Sequence, residues 1–347
     1  MKILITGNLG YIGTSLVNEI RLAHPLAEIV GMDLGLFSHC LTGVSIVPET
    51  NLDKQVYKDV RSINIEDLNG FDSVIHLAAI SNDPMGQSFE KITNEINYQS
   101  SIKVAKLSKQ AGVKNYVFAS SCSVYGEASE LPKVEEDNLN PLTAYAKSKI
   151  DTEISLQGLE SERFIVTCLR FSTACGFTAR TRLDLVLNDF VADAVLNGEI
   201  NILSDGSPWR PLINTKDMAR AANWALDRDI KNGGAFCVAN IGCDNWNYQV
   251  KDLAYAVADI ISGTKVTINK NAQPDKRSYK VNFSKFKELA PDYQPKESLE
   301  STIIELKDGI LKTKSIDKSF RDSDYIRLNI LNEHINSGRF NNDLLPQ

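Results

Sequence analysis

Metal-binding patterns, long hydrophobic runs and blocks of basic residues are all scarce in this sequence of 347 residues. The four histidines are not paired at ligand spacing, and the six cysteines show no C-x-x-C pattern, which argues against a structural metal. His76 lies inside an apolar run and is interpreted as a core residue. No apolar run approaches the length of about 18 residues that a membrane-spanning helix needs. A net charge of −6 argues against a nucleic-acid or anionic-membrane surface.

The composition that remains is that of a globular protein. Hydrophobic residues make up 43% of the chain, which is enough to bury a large core. The length indicates two domains, or one large domain with a lobe. The first residues lead directly into an apolar run, so we expect no signal or transit peptide. With scattered cysteines, the sequence predicts a cytoplasmic protein with reduced thiols.

The amino-terminal stretch carries the first functional pattern. Residues 2–5 form an apolar run that predicts a buried strand, and residues 11–20 have the apolar spacing of a helix. A strand, a glycine turn and a helix together present backbone N–H groups to a pyrophosphate, although the G-x-x-G-x-x-G spacing differs from the standard fingerprint. We expect the whole turn to bind a dinucleotide: Gly7, Asn8, Leu9, Gly10, Tyr11, Ile12 and Gly13.

An acidic residue follows at a suitable distance. The apolar run at residues 27–32 ends in Asp33, which lies 20 residues after Gly13. At about this distance an acidic residue binds the ribose hydroxyls of the adenosine. A carboxylate there repels a 2′-phosphate, so Asp33 favours NAD over NADP. The alternative is a solvated turn residue.

Strand and helix patterns alternate along the first half of the chain. Apolar runs at residues 55–60, 73–80 and 115–119 predict three further strands, and a long helix at 89–111 is expected to end at Gly112. Such alternation produces a parallel sheet whose ligands bind at the carboxyl ends of the strands. The predicted fold class is therefore α/β, with a Rossmann-like doubly wound parallel sheet.

A second chemical pattern is Tyr145 followed four residues later by Lys149, which places both side chains on one face of a helix. Free tyrosine has a pKa of about 10 and is a poor base at neutral pH. A neighbouring ammonium, helped by a positively charged nicotinamide, would favour the phenolate; lowering the pKa by about three units needs roughly 4 kcal/mol. The pattern is common on amphipathic helices. Its position 24 residues after Ser121, in a chain that opens with a nucleotide turn, makes it a catalytic candidate.

Together these motifs resemble the extended short-chain dehydrogenases/reductases of the NAD-dependent nucleotide-sugar epimerase/dehydratase family. The resemblance runs from the first strand to about residue 310, and includes the stretch at residues 120–126, which ends in a Val-Tyr-Gly turn. It implies NAD as cofactor, a nucleotide sugar as substrate and a homodimer. It also implies a smaller C-terminal substrate-binding lobe. On this basis the NAD-binding domain comprises residues 1–175 and 212–241, and the lobe comprises residues 176–211 and 242–347.

The resemblance also assigns roles to individual residues. Lys149 would bond the nicotinamide ribose and keep the pKa of Tyr145 low, while Ser121 takes the position of the catalytic serine or threonine. Asp59 and Val60 would flank the adenine. The predicted catalytic residues are Ser121, Tyr145 and Lys149. The cofactor-binding residues that the resemblance adds are Asp59, Val60, Leu77, Ala78, Ala79, Asn97, Tyr145, Lys149 and Phe171.

The second half of the chain supplies the expected substrate contacts. Residues 168–176 resemble the strand and loop that close over the nicotinamide, and Asn188 lies early in a predicted helix that touches the sugar nucleotide. Arg210 falls on the family's phosphate-binding arginine, and Arg277, in the loop 273–279, is a second candidate. For each arginine the alternative is a surface salt bridge. The predicted substrate-binding residues are Ser121, Ser123, Thr173, Asn188, Arg210 and Arg277. Residues after about 315 carry no recognisable motif.

The reaction depends on departures from the family's subgroup patterns. Dehydratases of this kind carry an acidic residue just before the Val-Tyr-Gly turn, where this chain has Cys122 and Ser123. Double epimerases place a cysteine at the position of Ser123, and Cys122 is interpreted as a packing residue. The remaining set, Ser121, Tyr145 and bound NAD, is sufficient for a 4-epimerase that oxidises its sugar transiently. A 4-dehydrogenase or 4-keto-reductase would use the same residues, and a non-catalytic NAD-binding regulator is a third alternative.

Overall fold

A computed structural model describes residues 1–126, 131–272, 275 and 277–347. Three positions of the predicted arginine loop at 273–279, namely residues 273, 274 and 276, therefore lie outside the described residues. The strands are β1 Lys2–Thr6, β2 Glu28–Asp33, β3 Lys54–Tyr57, β4 Ser73–His76, β5 Asn115–Ser121, β6 Ile165–Phe171, β7 Thr173–Cys175, β8 Glu199–Ile202, β9 Trp209–Asn214, β10 Phe236–Ile241, β11 Asn247–Gln249 and β12 Lys265–Ile268.

Helices follow most of the strands. They are α1 Tyr11–Ala23, α2 Asp83–Ser88, α3 Glu90–Thr93, α4 Ser101–Gln110, α5 Ala144–Leu156, α6 Val186–Asn197, α7 Thr215–Leu226, α8 Val250–Ile260, α9 Ser284–Leu289, α10 Leu299–Lys312 and α11 Arg327–Asn336. In the part of the chain that the structure describes, no helix combines the length and apolar character needed to cross a bilayer.

The central sheet is parallel and, within the described residues, has seven strands in the order β10-β6-β5-β4-β1-β2-β3. The chain winds outward from β1 in both directions, so the strand order reverses between β1 and β4. In open α/β sheets the ligand crevice lies at this switch point, outside the carboxyl ends of the strands. The predicted fold class is confirmed.

Strand β1 is buried on both faces, as its continuous apolar run predicts. Ile3 and Ile5 pack in the core that α1 and α7 cover, whereas Leu4 packs in the core on the side of α4 and α5. His76 at the end of β4 is buried, as expected, between the hydroxyls of Thr6 (2.7 Å) and Ser101 (2.9 Å).

A smaller lobe is built around its own core. It contains a three-stranded sheet of order β11-β9-β7 and the parallel pair β8 and β12, counted over the described chain. Leu187 of α6, Leu253 of α8 and Ile303 of α10 are fully buried against these strands. After β9 the chain returns to the central sheet as β10, and the division of the chain into domains stays a prediction.

One predicted element differs from the structure. The long helix expected at 89–111 is wrong as a single α-helix, because a π-helical segment at Asn94–Ser100 separates α3 from α4. The carbonyl of Asn97 in this wider turn accepts hydrogen bonds from the hydroxyls of Ser101 (2.7 Å) and Thr152 (3.0 Å). Such π-bulges are frequent near functional sites. Gly112 follows the C-terminus of α4 and has a φ of +84°, so the helix stops at this glycine, as predicted.

Candidate active site

A cavity of about 690 Å³ lies at the carboxyl ends of the strands, between the central sheet and the lobe. It brings together residues from across the sequence, including the glycine turn, the start of α5 and the lobe arginines. The predicted site residues that line it are Gly7, Gly10, Tyr11, Ile12, Gly13, Asp33, Asp59, Val60, Leu77, Ala78, Ala79, Ser121, Ser123, Tyr145, Lys149, Phe171, Thr173, Arg210 and Arg277.

Four predicted residues are buried and do not line the cavity in the described chain: Asn8, Leu9, Asn97 and Asn188. The Asn97 amide bonds both the N–H and the carbonyl of Ile80, and thereby holds the loop that follows β4. Asn188 donates to the hydroxyl of Tyr11 (2.9 Å) and accepts from the Gly176 N–H (3.1 Å). The polar groups of these asparagines are occupied within the protein, where they fix the elements that form the cavity wall.

The glycines of the first turn meet different needs. Gly7 has a φ of +75°, and a Cβ there would lie 2.6 Å from the backbone nitrogen of Ala78. A Cβ at Gly13 would lie 2.4 Å from the Asn8 carbonyl oxygen, so this glycine allows close packing. Gly10 is the N-cap of α1 and makes no side-chain cap bond, so the first N–H groups of the helix remain available to an anion in the cavity. This cradle fits a pyrophosphate.

Asp33 is held in position by two backbone N–H groups at the end of β2. One carboxylate oxygen accepts from Gly35 (2.7 Å) and the other from Leu9 (3.1 Å). Burial raises the pKa of Asp33, while these hydrogen bonds and the charge of Arg180 oppose the rise. The fixed carboxylate has acceptor sites left for ribose hydroxyls, so the residues present fit the adenosine half of NAD.

Helix α5 carries the predicted catalytic pair. Thr143 caps its start by accepting a hydrogen bond from the Ala146 N–H (3.1 Å). Lys149 donates to the Ala119 carbonyl at the end of β5 (2.7 Å), and its nitrogen lies 5.6 Å from the centre of the Tyr145 ring. The helix thus holds both side chains against the end of the sheet.

The protein alone does not favour a phenolate at this site. Burial raises the pKa of Tyr145 to about 12, although a side-chain hydrogen bond with Ser121 and the charge of Arg182 lower it in part. Burial lowers the pKa of Lys149 to about 7, opposed by the charge of Glu153. An ammonium that is only partly populated at neutral pH gives limited support to a negative oxygen. The low pKa of Tyr145 that the sequence suggested therefore requires positive charge from a bound ligand.

Ser121 lies at the end of β5, beside Tyr145. Its hydroxyl oxygen caps a short 3₁₀ helix at Cys122–Tyr125 by accepting from the Ser123 N–H (3.2 Å). The buried hydroxyl of Ser123 has no hydrogen-bond partner among the described residues, and so can serve a ligand. Cys122 is fully buried, donates to the Arg170 carbonyl (3.0 Å) and has a pKa raised by burial, which agrees with a packing role.

The two predicted phosphate-binding arginines share one carboxylate. Arg210 bonds Asp275 at 2.9 Å, and Arg277 bonds the same carboxylate through two nitrogens, at 2.7 and 3.0 Å. Arg277 also reaches Asp83 (2.9 Å), which accepts from Thr143, the cap of α5 (2.7 Å). A polar chain therefore links the lobe to the start of the catalytic helix. The salt bridges expected as the alternative are present, but they line the cavity.

Seven charged residues that line the cavity in the described chain were not among the predicted site residues: Lys58, Asp83, Arg182, Asp184, Asp189, Asp275 and Arg327. Arg182 forms a two-point ion pair with Asp184 (2.8 and 2.9 Å) and donates to Ser81 (2.8 Å). The R-x-R-x-D spacing at residues 180–184, between apolar runs, is a signal that could have identified this pair. Arg327 lies in the segment without motifs, so its sequence context gives no such signal.

Comparisons with known proteins agree with this geometry. The model of the NAD dependent epimerase/dehydratase family matches residues 3–242. A UDP-glucose 4-epimerase of Corynebacterium glutamicum is 26% identical over 73% of this chain and 78% of its own length. The human UDP-glucose 4-epimerase is 30% identical over 46% of this chain and 48% of its own length.

Solved structures share the fold at lower identity. MoeE5 in complex with UDP-glucose and NAD has a TM-score of 0.75 and 23% identity, covering 91% of this chain and all of its own. A UDP-glucuronic acid 4-epimerase of Bacillus cereus has a TM-score of 0.74 and 22% identity, covering 90% of this chain and 99% of its own. With the glycine turn, Asp33 and the side chains of Ser121, Tyr145 and Lys149 in one cavity, and a family match over more than half its length, this chain belongs to the NAD-dependent epimerase/dehydratase family of enzymes.

Proposed function

We propose that this protein is an NAD-dependent UDP-sugar 4-epimerase, which oxidises carbon 4 of the sugar transiently and then reduces it. The observation that carries the proposal is the position of Tyr145 in the cavity, beside Ser121 and Lys149, where its hydroxyl can act as the acid–base group. The names of the relatives in Corynebacterium glutamicum and humans support the choice of carbon and of nucleotide.

Carboxylates in the described cavity wall are occupied, which disfavours a dehydratase. A dehydratase needs a free carboxylate to remove a proton beside the transient ketone, and Asp33 is bound by two N–H groups. The remaining ones are paired with arginines: Asp59 with Arg61, Asp83 with Arg277, Asp184 with Arg182, Asp189 with Arg321, and Asp275 with Arg210 and Arg277. The charges of Arg182 and of Arg210 with Arg277 lower the pKa of Asp184 and of Asp275, so these two carboxylates are weak bases, whereas burial raises the pKa of Asp189.

In the proposed mechanism the phenolate of Tyr145 accepts the proton of the sugar hydroxyl, and Ser121 hydrogen-bonds the same oxygen. NAD, which the glycine turn and Asp33 would hold, would supply the acceptor and then the donor of the hydride of that carbon. Tyr145 gives its proton back when the alcohol forms again. Between the two steps the keto-sugar turns so that its other face is presented, while Arg210 and Arg277 keep the diphosphate bound.

The runner-up is a 4-dehydrogenase or 4-keto-reductase, which would use the same residues and release its product. Incubation with NAD and UDP-glucose, followed by NMR of the sugar, separates the two. Interconversion of UDP-glucose and UDP-galactose without net formation of NADH supports the epimerase, whereas stoichiometric NADH contradicts it. Other UDP-sugars form the rest of the panel. The homodimer that the family resemblance implies stays a prediction.

The same assay tests the role of Tyr145. The substitution Tyr145→Phe should reduce turnover by roughly 10²- to 10⁴-fold, the usual contribution of a positioned acid–base group. Binding of NAD, measured by titration calorimetry, should change little, because the cradle and Asp33 are untouched. Turnover near that of the wild type would mean that another group is the base.

A further inference from the structure

The C-terminal helix α11 places a buried arginine in the cavity wall. Arg327, its first residue, is 1% exposed and lines the cavity. Its guanidinium donates to the carbonyls of Asp324 (2.8 Å) and Arg180 (2.8 Å), and stacks 5.2 Å above the ring of Phe37. These partners are neutral, and no described carboxylate lies within 4.0 Å of the guanidinium. The carboxylate of Asp184 acts on Arg327 electrostatically but is itself paired with Arg182, so Arg327 has no ion-pair partner of its own among the described residues.

Two neighbouring arginines differ in this respect. Arg180 is paired with Glu49 (2.5 Å) and Arg182 with Asp184 (2.8 Å). Removal of a charge from water without a partner is costly, so a buried cation without a counter-ion is an uncommon feature. Arg327 carries the unbalanced positive charge of this trio.

Arg327 lies between the loop that follows β2 and the loop that follows β4. Its guanidinium stacks on Phe37 in the loop that follows Asp33, and it donates to the carbonyls of Arg180 and Thr181. Arg182, the next residue, donates to Ser81 in the loop after β4 (2.8 Å). Ala78, at the start of that loop, is packed against Gly7 of the glycine turn. These contacts connect Arg327 with the adenosine end and with the phosphate cradle of the predicted dinucleotide site.

The C-terminal segment is tied to the cofactor side of the cavity. His334 of α11 is bonded to the Leu36 carbonyl (2.8 Å), just after the ribose carboxylate. Further along, the carbonyls of Asp343 (2.7 Å) and Leu344 (3.0 Å) accept from Arg61, the partner of Asp59. These contacts fix the end of α11 and the residues that follow it against the predicted adenosine end of the site.

We propose that Arg327 is the counter-charge of the NAD pyrophosphate, so that the C-terminal helix is part of the cofactor site. The helix N-terminus of α1 supplies N–H groups on one side, and Arg327 adds a full positive charge on the other. In a buried site of low dielectric this charge acts strongly even where water barely reaches it. The pyrophosphate in turn neutralises a guanidinium that the described residues leave unbalanced.

The test compares ligands that do and do not carry the pyrophosphate. Titration calorimetry with NAD, ADP-ribose, adenosine and UDP is done on the wild type, on Arg327→Ala and on Arg327→Gln, which removes the charge but keeps an amide donor for the Arg180 carbonyl. Affinity for NAD and ADP-ribose should fall by about 10- to 100-fold, the range for loss of one charge-assisted contact. Affinity for adenosine and UDP should stay within about twofold.

Controls separate charge from structure. Arg339→Gln lies on the same segment, is exposed and pairs with Glu333 outside the cavity, so it should bind every ligand like the wild type. If Arg327→Ala unfolds, Arg327→Gln and Arg327→Lys carry the test, with lysine expected to recover much of the lost affinity. Unchanged ADP-ribose binding in a folded glutamine variant overturns the proposal, as does an equal loss for adenosine. A loss confined to UDP would assign the arginine to the substrate, and also overturns it.

Discussion

The ammonium nitrogen of Lys149 lies 5.6 Å from the centre of the Tyr145 ring, on the same face of α5. At this distance the pair has the arrangement of a cation-supported phenolate. Burial nevertheless moves both pKa values toward the neutral forms, to about 12 for Tyr145 and about 7 for Lys149. The protein alone therefore does not supply the positive charge that a phenolate at Tyr145 needs.

The first prediction concerns the state of Tyr145. Addition of NAD should lower the pKa of Tyr145, because a positively charged nicotinamide beside a buried phenol favours the phenolate. An ultraviolet titration of phenolate, taken as the difference between wild type and Tyr145→Phe, measures this value. NADH, whose nicotinamide ring is neutral, is the matched control and should lower it much less. Equal effects of the two cofactors would contradict the electrostatic explanation.

The second prediction concerns stability and pH. The pKa of Lys149 falls from 10.5 to about 7 on folding, so between these values the unfolded chain binds the extra proton. The contribution of Lys149 to the free energy of unfolding should therefore increase with pH through this window. It should be least favourable below about pH 7, where the buried ammonium is fully protonated. A tenfold change in the acid dissociation constant corresponds to roughly 1.4 kcal/mol. Lys149→Met should be more stable than the wild type at pH 6.5, by denaturant unfolding, and the difference should shrink toward about pH 10.

A matched lysine provides the control for that comparison. Lys147 is an exposed residue of the same helix, and Lys147→Met should give a difference that does not vary with pH over this window. A Lys149→Met difference that is also independent of pH would show that the ammonium is not penalised by burial.

The third prediction concerns the choice of cofactor. Asp33 should make NAD bind far better than NADP, because the buried carboxylate accepts from ribose hydroxyls and repels a 2′-phosphate. Asp33→Asn should weaken NAD binding and reduce the difference in affinity between NAD and NADP. Titration calorimetry measures both affinities. If the wild type binds NAD and NADP equally well, the ribose contact is not made by Asp33.

The fourth prediction concerns the substrate arginines. Arg210→Ala and Arg277→Ala should each weaken the binding of UDP by roughly 10- to 150-fold, corresponding to about 1.5–3 kcal/mol for a charge-assisted contact. Asp275→Asn should do the opposite, because Asp275 competes with the diphosphate for both arginines. NAD affinity should stay unchanged in all three variants. If neither arginine variant weakens UDP binding while the proteins remain folded, the diphosphate lies elsewhere.

Local sequence patterns were sufficient to predict the fold class and many of the residues that line the cavity. The glycine turn, Asp33 and the pair Tyr145 and Lys149 were all recognisable, because each depends on the spacing of residues within one strand, turn or helix. The carboxyl ends of parallel strands meet at one edge, so short motifs far apart in sequence converge without further information. The break in the helix expected at 89–111 was missed, because the carbonyl of Asn97 in the π-helical turn has its hydrogen-bond partners in α4 and α5.

What only the tertiary structure decided is how charges are paired. The distance along the chain between Arg327 and its partner Arg180 is 147 residues, and Arg210 is separated from Asp275 by 65. The ionisation of Tyr145 and Lys149 likewise depends on burial by the whole fold. Sequence spacing determines which side chains share an element, whereas desolvation and counter-ions depend on every element packed around them. For that reason the sequence predicted which candidate catalytic side chains share the cavity, and the tertiary structure set the charge states of Tyr145 and Lys149 and brought Arg327 to the cavity wall.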